Sequence, residues 1–406
     1  VKSDAEGRWA VSVRTPAGSY EPQRITFASG DRVTFDRVLI GEVWFAGGQS
    51  NMEMPLGGFW QCPVTDANEI IARADAKSGK LHYVKIPHAA AYTPQDRTAG
   101  SWTPCTTATA AKFTAAGYFF AEMLNDVLGV PVGIIDCSWG GSRVESWMSR
   151  EVLSGYSDID LTEEGISRVA QHLRPMVMYN AMLRPVAGYT VRGFLWYQGE
   201  SNVGRYMDYA ARLADMVSLW RGLWGRDDLP FYYVEIAPFE YGNGKSPYLR
   251  EAQCRAQELI PNSGMICTND LVEHYEFCNV HPKNKRDVGY RLAFMALNKT
   301  YGMKEIACQS PQYESMEIRD GKARIRFKYM DQGFNRMADI RGFEICGADK
   351  VFYPADAVVE NQFALVVSSE KVPEPVAVRY CFRDFQPGNL GDTRELPVVP
   401  FRTDDF

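Results

Sequence analysis

The sequence predicts an α/β protein, built on an open, five-stranded parallel sheet with helices on both faces and flanked by an antiparallel β domain. Three observations carry this. From about residue 42 to 302, short apolar runs rich in β-formers alternate with longer stretches whose apolar residues recur at three and four. Each short run is followed by Gly, Pro, Ser or Asn, the residues that end a strand. After Tyr301 the period falls to two, as in Ala323-Arg324-Ile325-Arg326-Phe327-Lys328-Tyr329 and Val376-Ala377-Val378-Arg379-Tyr380-Cys381. That alternation is the mark of antiparallel strands with one wet face.

In chain order, residues 1–41 also alternate, in Trp9-Ala10-Val11-Ser12-Val13 and Arg32-Val33-Thr34-Phe35. They are too few to close a β domain alone. They therefore belong to a β domain of which more lies elsewhere, or complete the C-terminal one. The expected sheet strands are 43–46, 132–137, 191–197, 231–236 and 264–268. The expected helices are 112–128, 205–224, 249–259 and 283–301. Residues 60–109 are rich in Thr, Pro and Ala, carry Trp60 and Trp102 and lack a long period. They read as an extended insertion over one face, the kind of segment that shapes a pocket. Residues 303–406, with turns at Asp320-Gly321 and Pro387-Gly388, form the antiparallel domain.

With 406 residues, 46% of them hydrophobic, the chain can bury a sizeable core. A net charge of -6 without a basic run leaves no electrostatic footprint for nucleic acid or an anionic membrane. There is no apolar stretch of 18 residues and no leader-like segment, so neither membrane insertion nor a retained signal peptide is expected. Nine scattered cysteines without a Cys-x-x-Cys pair argue against a zinc site and a complete disulfide framework. No cofactor is expected, and the oligomeric state is not read from the chain. The aromatic content, 13%, suits core filling and also sugar stacking.

Four segments point to chemistry. Gly41-Glu42-Val43-Trp44-Phe45-Ala46-Gly47-Gly48-Gln49-Ser50-Asn51-Met52 reads as a buried strand delivered into a glycine turn that presents one serine. Ser50 is the candidate nucleophile, with helix capping as its plainer role. Val132-Gly133-Ile134-Ile135-Asp136-Cys137-Ser138-Trp139-Gly140-Gly141-Ser142 is a second strand ending in paired glycines. With the Ser50 amide, a Gly140 or Gly141 amide is a candidate oxyanion donor, since no side chain blocks approach. In Phe194-Leu195-Trp196-Tyr197-Gln198-Gly199-Glu200-Ser201-Asn202 the Gln198 carboxamide is the favoured further donor, with Asn202 as its rival. In Asn279-Val280-His281-Pro282-Lys283-Asn284-Lys285, His281 precedes a proline suited to a first helical turn. A serine hydroxyl needs a base within hydrogen-bond reach, and His281 is the candidate.

Together these segments resemble the carbohydrate esterases of the SGNH-hydrolase superfamily, and most closely the sialate O-acetylesterase family. Ile40-Gly41-Glu42-Val43-Trp44 leading to Gly48-Gln49-Ser50-Asn51-Met52 is similar to its nucleophile block. Trp139-Gly140-Gly141-Ser142 is similar to its oxyanion block, and Trp196-Tyr197-Gln198-Gly199-Glu200-Ser201-Asn202 to the third. Val280-His281-Pro282-Lys283-Asn284-Lys285 matches Ile/Val-His-Pro-x-x-Lys. Val378-Arg379-Tyr380 with Pro400-Phe401-Arg402-Thr403-Asp404 resembles its C-terminal β region. The resemblance implies a flavodoxin-like αβα sandwich, release of acetyl groups from O-acetylated sugars, and a secreted or periplasmic location.

One departure stands out. The superfamily usually places an aspartate three residues before the histidine, whereas this chain has Cys278. A thiol carries little charge there, so the expectation is a Ser50-His281 dyad supported by a backbone carbonyl or by Glu276. Arg143, Arg250, Trp139, Trp147 and Trp196 could line a sugar pocket or serve the core. Rival readings are an acetylesterase for acetylated xylan, pectin or another glycan, a non-catalytic glycan-binding protein, and a glycosidase using Glu42 and Glu200.

Overall fold

The computed structural model describes residues 1–9, 11, 13–336 and 338–406. Strands β1 (Ser19–Ser29) and β2 (Asp31–Ile40) pair with each other as an antiparallel ribbon. The chain then enters β3 (Glu42–Gly48) and the single-turn helix α1 (Ser50–Glu53). Helix α2 (Ala67–Arg73), β4 (Leu81–Lys85) and β5 (Thr103–Pro104) follow. Helix α3 (Ala115–Leu128) leads to β6 (Val132–Ser138), and the short α4 (Arg150–Leu153) and α5 (Glu163–Ser167) precede β7 (Gly193–Tyr197). Then come α6 (Tyr209–Trp224), β8 (Phe231–Val234), α7 (Ser246–Leu259), β9 (Ser263–Ile266) and α8 (Arg286–Lys299).

The central sheet has seven strands in the order β5-β4-β6-β3-β7-β8-β9, not the five expected. The five expected strands are present as β3, β6, β7, β8 and β9, all parallel. The addition comes from residues 60–109, where β4 pairs parallel to β6 and β5 antiparallel to β4. Strands of five and two residues are too short to show a period. Once folded, β4 covers what would otherwise be an open edge of β6.

Both faces of the sheet are buried, which is why its strands are continuous apolar runs instead of alternating ones. Phe45, Trp196, Trp147 and Trp220 belong to the core on one face, and Trp44, Phe120, Tyr232 and Leu292 to the core on the other. The helices covering those faces start and stop where their flanking residues dictate. Thr114 Oγ1 caps α3 by accepting from Gly117 N at 3.4 Å, and α3 and α6 end on left-handed Gly129 and Gly225.

The C-terminal region forms two four-stranded antiparallel sheets. One contains β10 (Gln312–Arg319), β11 (Lys322–Lys328), β14 (Asp356–Asn361) and β15 (Ala364–Ser368). The other contains β12 (Phe343–Cys346), β13 (Phe352–Pro354), β16 (Ala377–Tyr380) and β17 (Phe401–Arg402). Ile325, Ile345, Leu365 and Tyr380 share their core. β1 and β2 belong to neither sheet, so they do not complete this region. Of the alternating stretch at residues 9–13, Ala10 and Ser12 lie outside the described residues.

Strand β3 sits between β6 and β7, so the chain leaves it toward one side of the sheet and later returns on the other. That reversal is a topological switch point beyond the carboxyl ends of β3, β6 and β7, the place where open α/β sheets bind ligands. Three of the four candidate segments end there.

Candidate active site

The end of β3 turns sharply because Gly48 holds φ at 141°, and a Cβ there would lie 2.2 Å from the Tyr197 carbonyl oxygen. Gln49 N donates to that same carbonyl at 2.9 Å, which clamps the turn onto β7. Ser50 then opens α1, half-buried, and among the described residues nothing accepts from its N–H. The Gln49 side chain is buried with its carbonyl fixed by two donors, Gly199 N at 3.2 Å and Ser201 N at 3.3 Å. Among the described residues its amide nitrogen has no acceptor, so a pre-oriented donor stands one residue before the serine.

The β6 segment closes against this turn. A Cβ on Gly140 would lie 3.4 Å from Ser50 Cβ, so glycine permits the approach. The two glycines differ in what their amides meet. Gly140 N donates to Glu53 Oε2 at 2.7 Å, and Glu53 Oε1 is 3.2 Å from Lys85 Nζ and 2.8 Å from His88 Nε2. Burial works against the Glu53 charge, but the His88 bond, Lys85 and the Gly140 amide outweigh it and hold the carboxyl below its usual range. Gly141, at φ +75°, has no such acceptor for its amide among the described residues, and its α-carbon faces the His172 ring.

The third segment is arranged differently from the expectation. Gln198 is fully buried. Its Nε2 donates to Ser142 O at 3.1 Å and Asn202 Oδ1 at 2.7 Å, while its Oε1 accepts from Tyr209 Oη at 2.9 Å. Asn202 is also fully buried, and its Nδ2 donates to Glu145 Oε2 at 2.9 Å. The structure thus gives both carboxamides to the scaffold and brings neither to the serine as a free donor. The reason is the loop after β6, which packs against the end of β7 and leaves the Ser142 carbonyl and the Val144 amide needing partners; Asn202 Oδ1 accepts the latter at 3.1 Å.

His281 is joined to the Ser50 turn through its neighbour. Asn51, fully buried and next to Ser50, donates from Nδ2 to Val280 O at 2.9 Å. His281 Nε2 is itself buried without a hydrogen-bond partner among the described residues. On the other side of the ring, Nδ1 lies 3.9 Å from Cys62 Sγ, and that thiol donates to Asn279 Oδ1 at 3.4 Å. With its hydrogen so directed, the sulfur can accept from Nδ1–H, which leaves the Nε2 lone pair available. Phe59 packs edge-on against the imidazole at 5.3 Å. Burial first, and the Lys285 charge second, push the His281 pKa down to about 4. The ring is then neutral at ordinary pH, the form in which an imidazole can accept a proton.

Among the described residues no carboxylate hydrogen-bonds to the ring. Glu276 accepts from Glu273 N at 2.9 Å with one oxygen and from Lys283 N at 2.9 Å with the other. It closes a capping box on the one-turn helix His274–Glu276 and tethers the following loop, so the structure does not bring it to His281. Cys278 is exposed. The residues the sequence reading missed are Gln49, Asn51, Glu53, Cys62 and Lys285. Of the residues near Glu276, the Glu273-x-x-Glu276 spacing was the one available signal for a cap.

The other candidates separate cleanly. Trp147 and Trp196 are fully buried core residues. Arg250 is buried and donates to Cys381 O at 3.2 Å, holding the C-terminal region against α7. Trp139 stacks on His88 at 4.4 Å and stays partly exposed beside the glycines. Arg143 is half-buried, donates from Nε to Ser201 O at 3.3 Å, and forms no ion pair among the described residues. Glu42 lies at the opposite end of β3 from Ser50, bonded to Arg192 and Tyr301. A seven-residue strand spans roughly 20 Å, so Glu42 and Glu200 cannot flank one glycosidic bond, which needs carboxyls about 5–9.5 Å apart.

A serine on a glycine turn, a half-buried histidine whose preceding residue is tied to Asn51, and backbone amides at Ser50 and Gly141 without acceptors among the described residues are thus brought to one end of the sheet. The chain belongs to the family described as carbohydrate esterase, sialic acid-specific acetylesterase, whose model matches residues 40–298. It is therefore a carboxylic ester hydrolase. It is 26% identical over 425 residues to a sialate O-acetylesterase of Mus musculus, covering 90% of this chain and 77% of that protein. A sialate O-acetylesterase of Pongo abelii is 27% identical over 373 residues, covering 85% and 70%. The crystal structure of a carbohydrate acetylesterase from Xanthomonas citri superposes with a TM-score of 0.89 at 34% identity, covering 100% of this chain and 90% of that one.

Proposed function

We propose that this protein is a sialate O-acetylesterase of the SGNH type, working through an acetyl-serine intermediate formed on Ser50. The observation that carries the mechanism is the tie from Asn51 to Val280, which joins the residue after the serine to the residue before the histidine. Ser50 Oγ attacks the acetyl carbonyl carbon while His281 Nε2 takes its proton. The developing oxyanion is met by the Ser50 amide, the Gly141 amide and the Gln49 carboxamide, donors with no acceptor among the described residues. Collapse breaks the bond to the sugar oxygen, which leaves with the proton held by His281. Water, deprotonated by the same ring, then releases acetate.

Among the described residues the partner of His281 at Nδ1 is the Cys62 sulfur, 3.9 Å away, and not a carboxylate. Arg143, close in sequence to the glycine block and without an ion pair among the described residues, is the arginine we favour to pair with a sialic acid carboxylate. A secreted or periplasmic location accords with a glycan substrate, and no helix among the described residues is long and apolar enough to cross a membrane.

The test is acetate release from O-acetylated sialic acid and from acetylated xylan by the wild type and S50A. Activity on the sialic acid that is lost at least 1000-fold in S50A supports the proposal. Activity on xylan alone would move the substrate to another acetylated glycan, a reading kept open by the carbohydrate acetylesterase from Xanthomonas citri. Full activity of S50A would remove the serine.

A further inference from the structure

Next to the serine and histidine lies a chain of buried polar groups that the proposed chemistry does not use. Lys285 is fully buried, forms no ion pair among the described residues, and donates from Nζ to Asn51 Oδ1 at 2.7 Å. The Lys285 ammonium also sits 5.6 Å above the Tyr197 ring. Asn51 Nδ2 in turn donates to Glu200 Oε1 at 2.5 Å and to Val280 O at 2.9 Å. Glu200 Oε2 is buried with no hydrogen-bond partner among the described residues. A buried cation and a buried carboxylate are thus held apart by one amide instead of touching.

We propose that Lys285, acting through Asn51 with Glu200, is a positioning residue for the base: it fixes the histidine loop to the nucleophile helix and sets a cation beside the imidazole. The inference rests on the reading of His281 as the base. Asn51 is saturated only while Lys285 and Glu200 both hold it. Its carboxamide is thereby oriented so that one hydrogen remains for Val280, and the backbone just before His281 is pinned to the residue just after Ser50. A direct ion pair would be the ordinary way to bury these two charges. Separating them leaves the cation's field available to the ring.

The charged and titratable groups around this unit are few. Lys285 faces Glu200, Glu276 and Cys62, and His281 faces Cys62 and Lys285. Burial lowers the Lys285 pKa to about 8, with Glu200 and Glu276 opposing, so the lysine is cationic throughout the range in which the histidine would otherwise take a proton. Lacking an aspartate to stabilise its charged form, the ring is instead kept from charging before substrate arrives. The enzyme gains a base that is available at mildly acidic pH.

K285Q keeps a donor for Asn51 and removes the charge, whereas K285M removes both. In K285Q the acid limb of the kcat/KM profile is expected to move up by about 1 pH unit, with kcat at pH 8 within a few-fold of wild type. K285M is expected to show the same shift and a further fall of about tenfold in kcat, as Asn51 loses its orientation. An acid limb that stays at the wild-type position in folded K285Q overturns the proposal, because a structural lysine would lower activity equally at every pH. Should the variants not fold, NMR titration of the wild-type His281 imidazole decides. A midpoint below about 5 is expected, and one at 5 or above overturns the proposal. Activity retained in H281A would instead overturn the reading of the base, leaving the two failures distinguishable.

Discussion

The ends of β3 and β7 are neighbours in the sheet, both pass into glycine and both present a glutamine, yet they do opposite things. At the end of β7, Gln198 donates twice and accepts from Tyr209, so every polar atom of its carboxamide is satisfied within the scaffold. At the end of β3, Gln49 has its carbonyl anchored by two amides while its nitrogen is left without an acceptor among the described residues. Two identical side chains at adjacent strand ends therefore divide the work. One locks β6, β7 and α6 together, and the other is held still and left available. A donor useful to a transition state is one that is oriented and not already bonded.

The sharpest way to break this picture is at the base. H281A is expected to lower kcat for acetate release by about 1000-fold at pH 7, with the denaturation midpoint little changed, since the ring's Nε2 has no bond to lose. A loss of less than tenfold would mean another group deprotonates Ser50. The two glutamines come next. Q49A is expected to lower kcat about 100-fold without unfolding the protein. Q198A is expected to cost on the order of 2–3 kcal/mol of stability in urea unfolding, because it strands the Ser142 carbonyl, Asn202 and Tyr209. If instead Q198A is stable and nearly inactive while Q49A is active, the division of labour is reversed.

Much of this was legible in the sequence because it is local. A strand that runs into paired glycines can be read from ten residues, and so could Ser50, the Gly140-Gly141 turn, His281 before its proline, and the five parallel strands of the central sheet. What was not legible depends on atoms that meet only in three dimensions. Nothing in the order of residues says that Glu53 takes the Gly140 amide, or that Asn202 and Tyr209 take Gln198. Cys62 and Phe59 reach His281 from more than two hundred residues away. β4 and β5 were hidden for a related reason, being too short to show a period and specified by the edge they cover.

A smaller effect contrasts β6 with its neighbour β3. Asp136 is buried, its Oδ1 accepts from Ser138 Oγ and its Oδ2 has no partner among the described residues. Burial pushes its pKa up to about 6, with Lys85, Ser138 and His88 opposing and Glu53 assisting. The folded state thus prefers the protonated acid. Stability is greatest below the unfolded value near 4, falls as pH rises toward about 6, and is level above it. D136N is expected to gain on the order of 2 kcal/mol relative to wild type at pH 7.5 and nothing at pH 3.5. Urea midpoints at the two pH values measure it, and an equal effect at both would place the origin in packing.

The smallest effect is expected at Glu276, where sequence reasoning and geometry diverge most. Were it the acid behind His281, E276Q would remove the charge that stabilises the imidazolium and kcat would fall by orders of magnitude. In the structure both oxygens accept backbone amides, from Glu273 and Lys283. Glutamine keeps one of those acceptors and turns the other into a donor facing a donor. The cost falls on the loop: about 1 kcal/mol of stability, and kcat/KM within about twofold of wild type. The pH profile separates the two roles further, because an acid paired with the ring would shift the acid limb on removal, and a cap would leave it in place. A hundredfold loss with the loop intact would return Glu276 to the site. Activity retained with a lowered denaturation midpoint would leave Cys62, Asn51 and Lys285 as the groups that hold this histidine.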